Sequence, residues 1–342
     1  MPGLPKAGNG GMGKARPLRG VHDENSELRR SLLTAVLPVK APFPWFGGKS
    51  RVSGDVWQRF GDVANYVEPF FGSGAVLLGR PTTHTGTTET VNDLDGLVAN
   101  FWRATAMRGN EVETWLDNPV NENDLHARHL WLLDRKTDLA DRLNADPTWC
   151  DPQIAGWWVW GLCCWIGSGW CSGNGPWVNA EGKMVLGDAG RGVNRQLPHL
   201  GNAGQGVLDA IRERVRNVRV CSGDWSRICG PSVTWGHGIT GVFLDPPYTA
   251  EASRTSDIYT QDSLTVGHDV VKWAIENGDN KLMRIAVCGY EGEYTFPSTW
   301  DCHAWKANGG FAGQSSKPND NATRERIWFS PHCLSSVQGR LF

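Results

Sequence analysis

Two consecutive prolines follow an aspartate in Asp245-Pro246-Pro247-Tyr248, directly after the apolar run Gly241 to Leu244. The prolines remove two backbone donors and hold the chain extended, which leaves Asp245 and the Pro246 carbonyl as acceptors at the end of an expected strand. Such a pocket suits a donor-rich group. A conjugated exocyclic amine, as on adenine, carries two hydrogens and becomes nucleophilic when both are held by acceptors that favour a pyramidal nitrogen. Tyr248 offers a flat face on which a base taken out of a duplex can stack. The competing account is a proline-stiffened loop with a buried tyrosine. Placement at a strand end favours the chemical one.

A second constellation is Val67-Glu68-Pro69-Phe70-Phe71-Gly72-Ser73-Gly74-Ala75, where a strand should end and a helix begin. Glycines there let the backbone turn tightly and approach a ligand at the carboxyl end of a strand. Alone, it is equally an ordinary strand-to-helix turn. A further strand then ends in Asn92-Asp93-Leu94-Asp95, and Asp93 stands where a carboxylate would hold a ribose diol. Asp95 is expected to cap the helix that follows.

These residues need a scaffold, and the pattern supplies one. Asn65 to Val67, Thr90-Val91, Val218 to Val220, Gly241 to Leu244, Ile285 to Cys288 and Ile327 to Phe329 read as strands. Ala75 to Leu78 and Leu97 to Met107 read as helices between them. The expected class is α/β, a doubly wound Rossmann-like sheet. Residues 1–38 form an expected flexible leader, 39–110 and 207–342 the sheet domain, and 111–206 an inserted subdomain. In the insert, Leu125 to Leu143 has helical spacing, and a turn is signalled at Asn174-Gly175-Pro176.

Composition bounds the function without naming it. The chain has 342 residues, 40% apolar and 20% charged, with a formal charge of -2. That balance lacks the basic excess common in nucleic-acid binders, so DNA contact must come from local features. Arg212, Arg214, Arg216 and Arg219 are either a phosphate track or a solvated helix face. Nine cysteines fit neither a disulfide framework nor zinc spacing. No metal is expected. Without a long apolar run or a signal-peptide core, a cytoplasmic protein without membrane contact is expected. Among 18 tryptophans, Trp157, Trp158, Trp160 and Trp165 cluster in the insert; subdomain core is the favoured account over base stacking.

Taken in order, Pro42-Phe43-Pro44-Trp45-Phe46-Gly47-Gly48-Lys49, Glu68 to Gly74, and Asp245 to Tyr248 resemble the motifs of the Dam-type, alpha group of DNA adenine methyltransferases. The matching blocks run from about Pro42 to Asn100 and from Val218 to Phe329. The resemblance implies a methyltransferase sheet with a target-recognition insert, S-adenosylmethionine as cofactor and double-stranded DNA as partner, in a bacterial cell or phage-infected host. It implies catalysis at Asp245, Pro246, Pro247 and Tyr248. It places Trp45 against the cofactor and Lys49 near its methionine end, with Glu68, Phe70, Gly72 and Gly74 shaping that pocket. Asp93 would hold the ribose, and Asp224 and Trp225 the adenine, with Asp224 also able to cap a short helix. Arg254, Tyr259 and Arg324 are candidate DNA contacts, the last equally an edge charge that discourages aggregation. The group's usual recognition domain is helical with a β-hairpin, from which this short, tryptophan-rich insert departs.

Three rivals stay open on sequence. Asp-Pro-Pro-Tyr serves any conjugated amine, so cytosine in DNA or a base in RNA is the nearest. A non-catalytic DNA-binding relative is the second. A nicotinamide-dependent oxidoreductase is the third, although Gly72-Ser73-Gly74 does not complete a GxGxxG pattern and Asp245 to Tyr248 would go unexplained.

Overall fold

The computed structural model describes residues 3, 39–45, 48–86, 88–166, 170–171, 177–186, 193, 207–247, 265–306 and 321–335. Tyr248, Arg254, Tyr259, Phe46, Gly47, the turn at 174–176 and almost all of the expected leader lie outside the described residues. The chain divides between residues 37 and 38, and the elements named here belong to the second unit.

In chain order these are α1 (Ser53–Phe60), β1 (Asn65–Glu68), α2 (Ala75–Leu78), β2 (Thr88–Asp93), α3 (Gly96–Leu116), α4 (Glu122–Lys136), α5 (Leu139–Ala145) and α6 (Pro152–Cys164). There follow β3 (Trp177–Ala180), β4 (Lys183–Leu186), α7 (Val207–Val215), β5 (Arg219–Ser222), β6 (Thr240–Leu244), α8 (Val266–Asn277), β7 (Met283–Tyr290), β8 (Asp301–Ala304), α9 (Asn321–Arg324) and β9 (Glu325–Phe329). Local chemistry sets several boundaries. Asp95 caps α3 by accepting from the Leu97 N–H, as expected, and Asp151 caps α6 ahead of Pro152 in its first turn.

Every residue of β1 and β6 is buried, the mark of strands covered on both faces. The sheet runs β5-β2-β1-β6-β7-β9-β8. Neighbours are parallel from β5 through β7, and β9 is antiparallel to both β7 and β8. The five parallel strands therefore follow the doubly wound order, and the order reverses between β1 and β6. Ligands of such sheets bind at that reversal, outside the carboxyl ends of the strands. β3 and β4 form a separate antiparallel hairpin.

Two apolar clusters cover the sheet. One joins Val56, Phe60, Tyr66, Phe101 and Trp102 with Leu125, Leu132, Trp158 and Trp160, so α4 and α6 share their core with the helix that follows β2. α3 kinks at Arg108, where the backbone leaves helical geometry, and its second part runs through residue 110 to Leu116; Gly156 of α6 lies so close to Trp115 that a Cβ would fall 2.3 Å from its Cβ. Trp158, Trp160, Trp165 and Trp170 are buried and Trp157 half-buried, so the tryptophan cluster packs a core. The helical stretch expected from Leu125 to Leu143 is two helices, broken between Lys136 and Leu139. The second cluster holds Val67, Val242, Leu244, Ile285 and Val287 beneath α8. Among the described residues, no helix is long and apolar enough to cross a membrane.

Candidate functional site

Glu68 ends β1 and Asp245 follows β6, so the topology alone brings two carboxylates to the point where the strand order reverses. The turn at Lys49–Arg51 delivers a cation to the same place. Lys49 Nζ lies 2.9 Å from Asp245 Oδ2, with side-chain exposures of 4% and 18%. Trp45, Lys49, Glu68, Phe70, Ser73 and Asp245 line one shared pocket. Three sequence segments separated by up to about two hundred residues thus meet there.

Burial works against the charges in this pocket. It raises the Asp245 carboxyl above the ordinary range, and Lys49 pulls it back by attraction and a hydrogen bond. For Lys49 burial is opposed chiefly by Asp245, with Glu325 adding to it, and the attraction prevails, so its pKa rises and it stays charged. Glu68 is pushed well above the usual carboxylate range by burial, against the hydrogen bond it accepts from the Tyr66 hydroxyl at 2.9 Å.

The glycine loop is boxed by aromatic rings. Gly72 has φ +46° and a Cβ there would fall 2.4 Å from Trp45 Nε1; Gly74 has φ +67° and faces Phe71. Both positions need glycine for conformation and for space. Trp102 Nε1 donates to the Gly72 carbonyl at 3.0 Å. Asp93, at the end of β2, accepts the Gly72 N–H on Oδ2 at 2.8 Å and the Asp95 N–H on Oδ1 at 2.9 Å. Burial lifts its pKa to about 6 despite these bonds. Each oxygen retains a further lone pair for a ligand hydroxyl.

The third strand end supplies Asp224 and Trp225 after β5. Asp224 is exposed and caps a 3₁₀ turn by accepting from the Ser226 N–H at 2.9 Å, the capping role the sequence allowed. Trp225 stacks on Phe70 with centroids 6.3 Å apart and planes 27° from parallel. Asn92, which the sequence reading passed over, ties the three ends together. Its amide donates to the carbonyls of Pro69 and Gly223 at 3.1 and 2.8 Å. Its position one residue before Asp93 was the available signal.

Other candidates lie elsewhere or are engaged. Arg324 sits over the Tyr290 ring, 5.5 Å to the centroid, and donates to the Glu291 carbonyl at 3.1 Å. Arg214 is tied to Glu89 at 2.7 Å and to the Leu77 carbonyl, and Arg216 lies 3.6 Å from Glu213. The Arg212 to Arg219 stretch is therefore partly structural. Sequence reasoning also missed three buried residues: Tyr66, which donates to Glu68, and Cys288 and Glu325, which lie around the Lys49–Asp245 pair. No family model matches the chain, and no curated protein matches it.

Proposed function

We propose that the chain is an S-adenosylmethionine-dependent methyltransferase acting on the exocyclic amine of adenine in double-stranded DNA. The observation that carries this reading is the meeting of Trp45, Lys49, the Glu68 to Gly74 loop and Asp245 at the reversal point of a doubly wound sheet. The resemblance links those segments as one set of motifs, and nothing in their spacing along the chain required them to be neighbours.

The donor set fits the cofactor. Glu68 gives a buried carboxyl that a cationic methionine end would draw into its ionised form, Asp93 has lone pairs left for a ribose diol, and Asp224 beside the Phe70–Trp225 stack suits an adenine ring. When bound, S-adenosylmethionine supplies a methyl group made electrophilic by its sulfonium charge. Asp245 accepts one amine hydrogen and orients the nitrogen lone pair, while the Pro246 carbonyl accepts the other. Lys49 opposes the cost of keeping Asp245 ionised in a buried setting. The helices α4 to α6 and the β3–β4 hairpin are the two kinds of element the resembled group uses for target recognition, which supports reading this short, tryptophan-rich region as the recognition insert.

Asp245→Ala is the variant that tests this. With methyl-labelled cofactor and duplex DNA, wild type is expected to transfer label and Asp245→Ala to lose transfer while binding cofactor with near-normal affinity. Retained turnover in the variant removes Asp245 from the reaction.

A further inference from the structure

Asp245 has a neighbour on its inner side that no motif names. β6 and β7 run parallel with Leu244 opposite Val287, so Asp245 and Cys288 are the next residues on adjacent strands. Cys288 is fully buried, and the register sets its thiol beside the Asp245 carboxylate, close enough to lower that carboxyl's pKa as a donor. The thiol has the proton to donate, whereas a carboxylate has only lone pairs. Lys49 takes Oδ2 from another direction at 2.9 Å. Glu68 at the end of β1, Glu325 on β9, Tyr290 at the end of β7 and Tyr294 beyond it are the other titratable groups whose charges reach Asp245 or its two partners. Among the described residues, then, the groups placed to donate to Asp245 are the Lys49 ammonium and the Cys288 thiol.

We infer that Cys288 is a positioning residue: its thiol and the Lys49 ammonium hold the inward lone pairs of Asp245, which fixes the carboxylate and turns an outward lone pair to the substrate amine. Burial keeps the thiol protonated, so it serves as a donor and not as a nucleophile. A buried cysteine can also be mere filling, a small apolar side chain in the core. The two roles part company in their effect on Asp245. Filling leaves its titration alone, whereas a lost donor destabilises the charged carboxylate and moves its titration upward. What the outward lone pair receives rests on the proposed function; the hydrogen bond belongs to the free protein.

The experiment is a carbon-13 titration of aspartate carboxyls in the full chain, with Asp245 assigned through Asp245→Asn. Cys288→Ala is expected to raise the Asp245 midpoint by about one pH unit, and Cys288→Ser, a stronger donor of similar size, to lower it below wild type, an unchanged or raised midpoint in the serine variant contradicting the role. Single-turnover transfer at pH 7 should fall about three- to tenfold in Cys288→Ala, with cofactor affinity unchanged and Cys288→Ser near wild type. Should the alanine variant fail to fold, the downward direction in Cys288→Ser carries the test. An unchanged Asp245 midpoint in a folded Cys288→Ala with an active wild type overturns the role of Cys288 alone. A shifted midpoint beside a wild type that transfers no methyl overturns the proposed function and leaves the hydrogen bond standing.

Discussion

Asp93 is the residue whose chemistry makes the most specific demand on conditions. Burial pushes its carboxyl up from 3.8 to about 6 in the folded chain, outweighing the backbone hydrogen bonds from Asp95, Gly72 and Leu94. Between those values the folded chain holds more protons than the unfolded one, so this group's contribution to stability falls as pH rises from about 4 to 6. Ligand binding should show the opposite slope. A ribose diol donates to the ionised carboxylate, so S-adenosylmethionine affinity is expected to strengthen as pH rises through about 6 and then level off. Asp93→Asn should bind more weakly at pH 7 and lose that dependence, which calorimetry across pH 5 to 8 measures. A wild-type affinity flat across this range would remove Asp93 from the ligand. Asp245, Asp93 and Glu68 were legible because each ends a strand in a segment with its own turn chemistry. Asn92, Tyr66 and Cys288 were not, since each looks like ordinary strand filling until the neighbouring strand is known.

The glycine loop and the buried ion network are decided by elements. Gly72→Ala must place a Cβ within 2.4 Å of Trp45 Nε1 and adopt φ +46°, a conformation that costs a non-glycine residue about 1–2 kcal/mol before any clash. The variant is expected to be less stable to denaturant and to lose cofactor affinity, with both measured on the same preparation; full affinity would mean that Trp45 and the loop separate freely. Glu89 of β2 joins Arg80 at 2.9 Å and Arg214 of α7 at 2.7 Å, with side-chain exposures of 10%, 5% and 20%. Glu89→Ala leaves two partly buried guanidinium groups without their carboxylate. The expected loss is toward the low end of about 3–5 kcal/mol, because water reaches Arg214. A denaturant midpoint unchanged from wild type would contradict it. The sequence makes Arg214 look like one of a surface run, because its partner lies 125 residues away. Strands β3, β4 and β8 escaped the sequence reading for a related reason. Each has four residues of mixed polarity, too short for alternation to stand out.

At the scale of the molecule, the parallel strands were readable as apolar runs before turn residues, and the reversal between β1 and β6 follows from their order. Reach was not readable. α3 breaks at Arg108, whose φ of -142° and ψ of 41° are not helical, so its first part ends at Met107 as expected, and a second helical part to Leu116 carries the sheet's core into α4 and α6. Composition changes at the insert, but packing does not stop there. The antiparallel β9 between β7 and β8 also departs from the all-parallel six-stranded order of dinucleotide-binding sheets, which weakens the oxidoreductase rival. The central claim is the identity of the acceptor, and one measurement addresses it. Unmodified duplex DNA is incubated with the protein and methyl-labelled S-adenosylmethionine, digested to nucleosides and separated. Label is expected on the exocyclic amine of deoxyadenosine. Label on deoxycytidine, or no label in DNA despite cofactor binding, would contradict it.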